Sequence, residues 1–270
     1  MYEKDLTRIE HALLAAKQAL AGFTPGEIES VLKAGGDPLT EADLAVNQVL
    51  ANFLPRPGEG WLSEETADDA TRLDCSRVWV VDPIDGTREF IQGIPEWCIS
   101  IGLVEEGRAV AGGILNPATD ELILGGEGQG VTRNGVPVSM RATTDIRGAL
   151  VLASRSEVKR GEWNKFFQEP ISIRNIGSVA YKLGLVAAGL ADGTWTLVPK
   201  HEWDVAAGAA LVLAGGGAVM NPDGNPAVFN QSNPKLKGFI AVGSGLSQAT
   251  MDLIRRAQNE PSIDNGQTAV

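Results

Sequence analysis

The spacing of apolar residues along the chain predicts helices in its first quarter. Residues 3–21 carry Leu and Ile at helical spacing in a polar, Ala-rich background, which indicates an amphipathic helix. A second helix is predicted from the capping residue Thr40 to Leu54, where Pro55 and Pro57 end it.

Four β-like segments follow residues 78–90, and turns rich in Gly, Asn and Pro separate them. They are residues 97–104, 109–115, 121–125 and 130–132, and their order predicts an antiparallel meander. The second half alternates strands (150–153, 171–175, 195–198, 238–243) with helices (157–167, 178–190, 205–214, 246–257). Strands and helices in mixed order, with antiparallel signals, predict a layered α+β fold rather than a Rossmann sheet.

A polar stretch at 142–147 looks like a connection between two lobes. We therefore predict an N-terminal α+β lobe over 1–145 and a C-terminal α/β lobe over 146–258. Residues 259–270 have the composition of a disordered tail.

The composition is that of a soluble globular protein, with 43% hydrophobic and 21% charged residues. No segment approaches the roughly 20 apolar residues of a membrane span, and the N-terminus lacks signal-peptide features, so we expect a cytoplasmic protein. The net charge of −11 argues against nucleic acid as a partner. Cys75 and Cys98 are too few for a disulfide framework.

The centre of the predicted chemistry is the stretch that begins at 78–81, where four β-forming residues lead into Asp82. Pro83 forces the backbone out of the strand, so that Asp82 and Asp85 can point to one side of the turn. Two acids at this spacing repel each other, and a divalent cation is the usual way to keep both charged. The alternative is an Asp-Pro turn whose acids only cap a helix.

The two residues after Asp85 suggest a bound anion. Gly86 lets the backbone pass close to a ligand, and Thr87 offers a hydroxyl and a free N–H group at the start of a helical turn. Carboxylates beside such an anion site suggest that a metal and a phosphate bind together.

Four further acids are candidates for the same site, and each has a local alternative. Asp43 lies in the first turn of its helix, where it would otherwise complement the helix dipole. Glu64 and Glu65 precede the strand of Asp82, and a hairpin-like return would bring Glu64 beside that residue. Asp204 begins an apolar helix and would otherwise be its cap.

The run Asp82-Pro-Ile-Asp85-Gly-Thr87, with Glu64-Glu65 upstream and Trp203-Asp204 downstream, resembles the inositol monophosphatase family of magnesium-dependent, lithium-sensitive phosphatases. The resemblance extends over about residues 30 to 220. It implies a five-layer αβαβα sandwich of the inositol monophosphatase and fructose-1,6-bisphosphatase type. It also implies a homodimer that hydrolyses a small soluble phosphate ester with two or three Mg²⁺ ions.

The resemblance assigns roles to individual residues. Glu64, Asp82 and the Ile84 carbonyl correspond to ligands of the first Mg²⁺, and Asp82, Asp85 and Asp204 to those of the second. Glu64 and Glu65 would orient a further ion and its water. Thr87, hydrogen-bonded to Asp43, would position the attacking water with Glu64, and the N–H groups of Gly86 and Thr87 would hold the phosphate. Carboxylate and carbonyl oxygens are the ligands that Mg²⁺ prefers.

Three features resemble 3'(2'),5'-bisphosphate nucleotidases rather than inositol phosphatases. Arg88-Glu89-Phe90 is similar to their Lys-Glu-Phe, and Gly177-Ser178 is followed by Lys182. Leu197 stands where inositol phosphatases carry a glutamate that binds ring hydroxyls.

Our leading hypothesis is therefore hydrolysis of adenosine 3',5'-bisphosphate to AMP, with Arg88 and Lys182 holding the second phosphate. These two cations would otherwise pair with surface acids. Inositol-1-monophosphatase and broad sugar or polyol phosphatase activities are the alternatives, and histidinol phosphate also stays open. A catalytically silent ligand-binding relative is the alternative from another class.

Overall fold

A computed structural model of the protein describes residues 2–33 and 36–259. In this part of the chain the α-helices are α1 (Glu3–Ala19), α2 (Glu41–Phe53), α3 (Thr87–Ile91), α4 (Arg155–Lys159), α5 (Val179–Ala187), α6 (Glu202–Ala214) and α7 (Ser247–Asn259). The strands of the first half are β1 (Val31–Leu32), β2 (Pro38–Leu39), β3 (Glu59–Ser63), β4 (Arg77–Asp85), β5 (Cys98–Glu105), β6 (Arg108–Asn116), β7 (Glu121–Gly126), β8 (Gly130–Arg133) and β9 (Val136–Val138). Those of the second half are β10 (Leu150–Ser154), β11 (Ser172–Ile176), β12 (Gly193–Thr196), β13 (Lys200–His201), β14 (Gly217–Met220), β15 (Lys235–Leu236) and β16 (Phe239–Gly243).

Two large sheets carry the fold. The first has seven strands in the order β3-β4-β5-β6-β7-β8-β9. Strands β5 to β8 form the antiparallel meander that the sequence predicts, and β4 and β9 extend it by an antiparallel strand at each end. The second sheet has the order β11-β10-β12-β16-β14 and mixes parallel with antiparallel pairs. Two short ribbons, β1-β2 and β13-β15, lie outside these sheets.

The helices and sheets stack in five layers. Helices α1 and α2 bury their apolar faces against one side of the seven-stranded sheet. Helices α5 and α6 fill the space between the two sheets, and α7 and α4 pack on the outer face of the second sheet. Each apolar face thus meets another layer, and the predicted α+β sandwich is confirmed.

Small residues let α6 lie close to its neighbours. A methyl group added at Gly112 of β6 would come within 2.5 Å of the Ala207 carbonyl oxygen. One added at Gly208 of α6 would come within 2.2 Å of the Leu183 Cβ on α5. Such contacts are far inside van der Waals distance, so this packing requires glycine at both positions. The close approach fixes where the first turn of α6, with Asp204, lies.

The predicted helix over 157–167 is wrong as a single element. This stretch forms the short helix α4, a turn at Gly161 with a φ of +80°, and a 3₁₀ turn at Asn164–Phe166. A left-handed backbone at Gly161 ends the helix, because continued helix needs negative φ. The sequence analysis also missed the two-residue strands of both ribbons and strand β14.

Two predictions about chain organisation are unchanged. The division at residue 145 stays a prediction, and the predicted tail lies outside the described residues except for Asn259, which ends α7. None of the described helices has the length and apolar character needed to cross a membrane.

Candidate active site

A cavity of about 460 Å³ opens where the end of β4 meets the first turns of α3, α5 and α6. Residues of both short ribbons complete its wall, including Pro38 from β2 and Lys235 from β15. Most of the predicted site residues line it: Glu64, Asp82, Ile84, Asp85, Gly86, Thr87, Arg88, Gly177, Ser178, Lys182 and Asp204.

A bulge in β4 places its two carboxylates together. Residues three apart in a regular strand face opposite sides. Here the register with β5 shifts, because Asp82 faces Ser100 while Asp85 faces Cys98. One ligand atom each of Asp82, Asp85 and Asp204 then lies within 4.8 Å of the others. The strand itself continues through Pro83, so the prediction that the chain leaves it there is wrong.

Glu64 reaches the same cluster through parallel pairing of β3 with β4. Ser63 pairs with Val81, and the Glu64 N–H donates a 3.3 Å hydrogen bond to the Val81 carbonyl. Glu64 comes directly after Ser63, and Asp82 comes directly after Val81, so the two acids lie side by side at the same end of the paired strands. The predicted neighbourhood of Glu64 and Asp82 is confirmed, but the predicted hairpin-like return is wrong because the two strands run parallel.

Asp43 makes a local contact at the start of its own helix and also contacts Thr87. Its Oδ2 accepts a 2.8 Å hydrogen bond from the Thr40 N–H and so completes the capping box of α2. Its Oδ1 lies 3.2 Å from the Thr87 hydroxyl, which is also 3.0 Å from the Ile84 carbonyl oxygen. A helix-capping residue thus also holds Thr87.

The carboxylates of the cavity are difficult to ionise without a counter-charge. Burial raises the pKa of Asp204 to about 8, and repulsion from Asp85 and Glu64 adds to this effect. Burial also raises the pKa of Asp82, and the charges of Glu64 and Asp85 reinforce it. Crowded, buried oxygen donors of this kind suit a hard divalent cation, whose charge would reverse these shifts.

Lys33 supplies a cation to this cluster, and the sequence analysis missed it. Its Nζ lies 2.6 Å from Glu64 Oε1 and 2.5 Å from Glu65 Oε1, and these two acids hold it at the edge of the cavity. No sequence signal marks Lys33, because it follows the two-residue strand β1 in a stretch without motif or periodicity.

Ser178 and Gly177 position Asp85 and the start of α5. The Ser178 hydroxyl donates a 2.6 Å hydrogen bond to Asp85 Oδ2 and accepts one from the Tyr181 N–H at 2.9 Å. The Gly177 N–H donates to Glu96 Oε2 at 2.8 Å. The Ser178 hydroxyl therefore already donates its proton to a carboxylate of the cluster.

The two predicted phosphate-binding cations differ in their surroundings. Lys182 is buried, its Nζ donates a 2.7 Å hydrogen bond to the Ser178 carbonyl, and burial lowers its pKa to about 8. Arg88 is 51% exposed and lies 3.0 Å from Asp37, which is 66% exposed. Pairing with a surface acid, one of the stated alternatives, therefore describes Arg88 but not Lys182. The sequence analysis did not single out three other cavity cations, Arg155, Lys200 and Lys235.

The model of the inositol monophosphatase family matches residues 3–260 of the chain. The chain belongs to the inositol monophosphatase family. An inositol-1-monophosphatase of Mesorhizobium japonicum is 33% identical over 255 residues, which cover 90% of this chain and 92% of that protein.

Solved structures of family members show the same fold. The inositol monophosphatase of Thermotoga maritima is 25% identical with a TM-score of 0.81, covering 96% of this chain and 98% of that one. CysQ from Bacteroides thetaiotaomicron is 26% identical with a TM-score of 0.73, covering 90% and 98%.

Family membership confirms the predicted class of enzyme, a metal-dependent phosphoric monoester hydrolase. The acidic cluster of Asp82, Asp85 and Asp204 provides the donors that such a metal needs.

Proposed function

We propose that the protein hydrolyses a small phosphate monoester with two or three Mg²⁺ ions held by the acidic cluster. One observation carries this proposal: ligand atoms of Asp82, Asp85 and Asp204 lie within 4.8 Å of one another at the wall of the main cavity. Without cations, three carboxylates at this distance, two of them buried and one partly buried, would repel strongly.

The remaining acids extend the ligand set. Glu64, Asp82 and the Ile84 carbonyl would hold the first ion, and Asp82, Asp85 and Asp204 the second. Glu65, which shares Lys33 with Glu64, would orient a further ion with that residue. Bound Mg²⁺ supplies charge neutralisation for the phosphate and lowers the pKa of a water molecule near it.

Thr87 is the proposed positioning group for that water. A hydroxyl has one proton and two lone pairs. When Thr87 donates its proton to Asp43 Oδ1, 3.2 Å away, its oxygen is left to accept from the water. Glu64, at the end of the neighbouring strand β3, would help to position the same water molecule. The N–H groups of Gly86 and Thr87 would hold the phosphate, since no intrahelical carbonyl is available to the first turn of α3.

Within the family, we propose adenosine 3',5'-bisphosphate as the substrate. The second phosphate needs a cationic partner, and Lys182 is a buried ammonium at the wall of the cavity. Arg88 would contact the second phosphate from the rim of the cavity, and the phosphate would compete with Asp37 for its guanidinium group. Gly177 and Ser178 would complete the substrate wall through their backbone.

Inositol 1-phosphate is the second candidate. The Mesorhizobium japonicum relative carries the name inositol-1-monophosphatase at 33% identity. The position of Leu197 argues against this candidate. Leu197 packs with the apolar cluster behind the second sheet and does not line the cavity, so it cannot contact a ring hydroxyl there. A catalytically silent protein is not proposed, because the full set of predicted ligands and the Asp43–Thr87 pair is present.

A comparison of kcat/KM for the two substrates at saturating Mg²⁺ tests the specificity. We expect a preference for adenosine 3',5'-bisphosphate that Lys182→Met lowers by roughly tenfold or more, because a charge-assisted contact to phosphate is lost. Arg88→Ala should have a smaller effect, and Arg108→Ala, an exposed arginine paired with Glu127, is the matched control. A preference for inositol 1-phosphate would refute the nucleotidase assignment. A nucleotide preference unchanged in both variants would refute the role of the cations.

The predicted homodimer and cytoplasmic location stay predictions that rest on the resemblance and on the sequence.

A further inference from the structure

Glu89 is an acid of the cavity that the proposed chemistry does not use. It lies in the first turn of α3, two residues after Thr87, and its side chain is 14% exposed. It lines the same cavity as the acidic cluster. Its aliphatic part rests on Gly177, where an added methyl group would come within 2.5 Å of Glu89 Cγ. The side chain therefore has a fixed place.

The acceptor oxygens of Glu89 are hardly used within the described chain. Its own backbone amide is the sole hydrogen-bond donor to it among these residues. The nearest cation atom, Arg155 Nε, is 3.9 Å from Glu89 Oε1, which is too long for a hydrogen bond. The neighbouring Glu96, by contrast, pairs with Arg155 and accepts from the Gly177 N–H at 2.8 Å.

The chemistry around Glu89 selects the kind of group it can bind. A carboxylate accepts hydrogen bonds and repels a phosphate. Asp85 acts on Glu89 as an anion and Lys182 and Arg155 act on it as cations, so the two acids already have two cationic partners and a substrate ammonium would meet two like charges. A neutral hydroxyl donates without adding charge, and it is the group that fits.

We propose that Glu89 accepts a hydrogen bond from a substrate hydroxyl close to the phosphate ester, and so selects hydroxylated substrates. This inference rests on the proposed function, because Thr87 in the same helical turn is the residue assigned to the phosphate. Leu197 is apolar and does not line the cavity, so it cannot accept a hydrogen bond from a substrate hydroxyl, and Glu89 would be the acceptor.

The test compares substrates with and without a hydroxyl beside the phosphate ester. Adenosine 3',5'-bisphosphate and its 2'-deoxy form are one pair, and glycerol 2-phosphate and isopropyl phosphate are a second pair that needs no nucleotide recognition. For the parent enzyme we expect kcat/KM to favour the hydroxylated member by roughly 10- to 100-fold, the value of a hydrogen bond to a charged group. Glu89→Gln should reduce this ratio severalfold and Glu89→Ala should abolish it, and because each ratio is taken within one variant, a general change in turnover cancels.

Glu96→Gln is the matched control, since Glu96 contacts Arg155 but does not line the cavity. If this variant reduced the ratio as much as Glu89→Gln, the effect would come from Arg155 and the proposal would be wrong. A parent enzyme without preference in either pair would also overturn it. If the preference appears with the glycerol pair while adenosine 3',5'-bisphosphate is not hydrolysed, the role of Glu89 stands and the nucleotidase assignment fails.

Discussion

Replacing Asp204 by Asn should have opposite effects on stability with and without metal. Asp204 is a partly buried member of the acidic cluster, and its Oδ2 accepts a 2.9 Å hydrogen bond from the His201 N–H at the start of α6. An Asn side chain has almost the same volume, and its amide oxygen can keep this cap. The substitution therefore removes the charge and leaves the local structure in place.

The size of the effect follows from the pKa of Asp204, which burial raises from 3.8 to about 8. Between these values the folded metal-free protein retains a proton that the unfolded chain has lost, so stability falls as the pH rises from about 4 to about 8. Four pKa units at about 1.4 kcal/mol each give a loss of about 5 kcal/mol at pH 8. Metal-free Asp204→Asn avoids this loss and should be more stable by a few kcal/mol.

Urea unfolding in EDTA at pH 5 and at pH 8 measures this difference. We expect the free energy of unfolding of the variant to exceed that of the parent mainly at pH 8. Added Mg²⁺ should then raise the melting temperature of the parent but hardly that of the variant, which should also have lost its phosphatase activity. Asp120→Asn, an exposed acid paired with Lys17, is the control. A metal-free variant less stable than the parent at pH 8 would refute the electrostatic account, and near-normal activity would refute the assignment of Asp204 as a ligand.

Two further predictions concern the same site. Thr87→Ala should lower kcat by roughly 10²–10⁴-fold, because it removes the group that positions the water, and should leave the Mg²⁺ concentration for half-maximal activity nearly unchanged; a large shift in that concentration would instead assign Thr87 to the metal. Li⁺ at tens of millimolar should inhibit turnover, since a small monovalent ion in the site of Asp82, Asp85 and Asp204 lacks the charge of Mg²⁺; an unchanged rate, measured as phosphate release at constant ionic strength, would show that this site differs from that of lithium-sensitive relatives.

The sequence by itself determined the features that depend on neighbouring residues. Thr40 and Asp43 form a capping box within one turn of α2, and the meander of β5 to β8 follows from turns between adjacent strands. The Asp82–Thr87 run carries its two acids and its anion-binding turn in six consecutive residues. Such local patterns need no knowledge of the rest of the chain.

Only the tertiary structure decided which distant residues meet. Parallel pairing of β3 with β4, and not a hairpin, brings Glu64 to Asp82. The close packing of α6 at Gly112 places Asp204 beside Asp85, although locally Asp204 is an ordinary helix cap. Lys33 gives no signal in the sequence, and Glu89 belongs to the Arg88-Glu89-Phe90 run without any role that the sequence assigns to it. Their positions depend on long-range packing, because strand pairing and layer stacking set the distances that local spacing leaves undetermined.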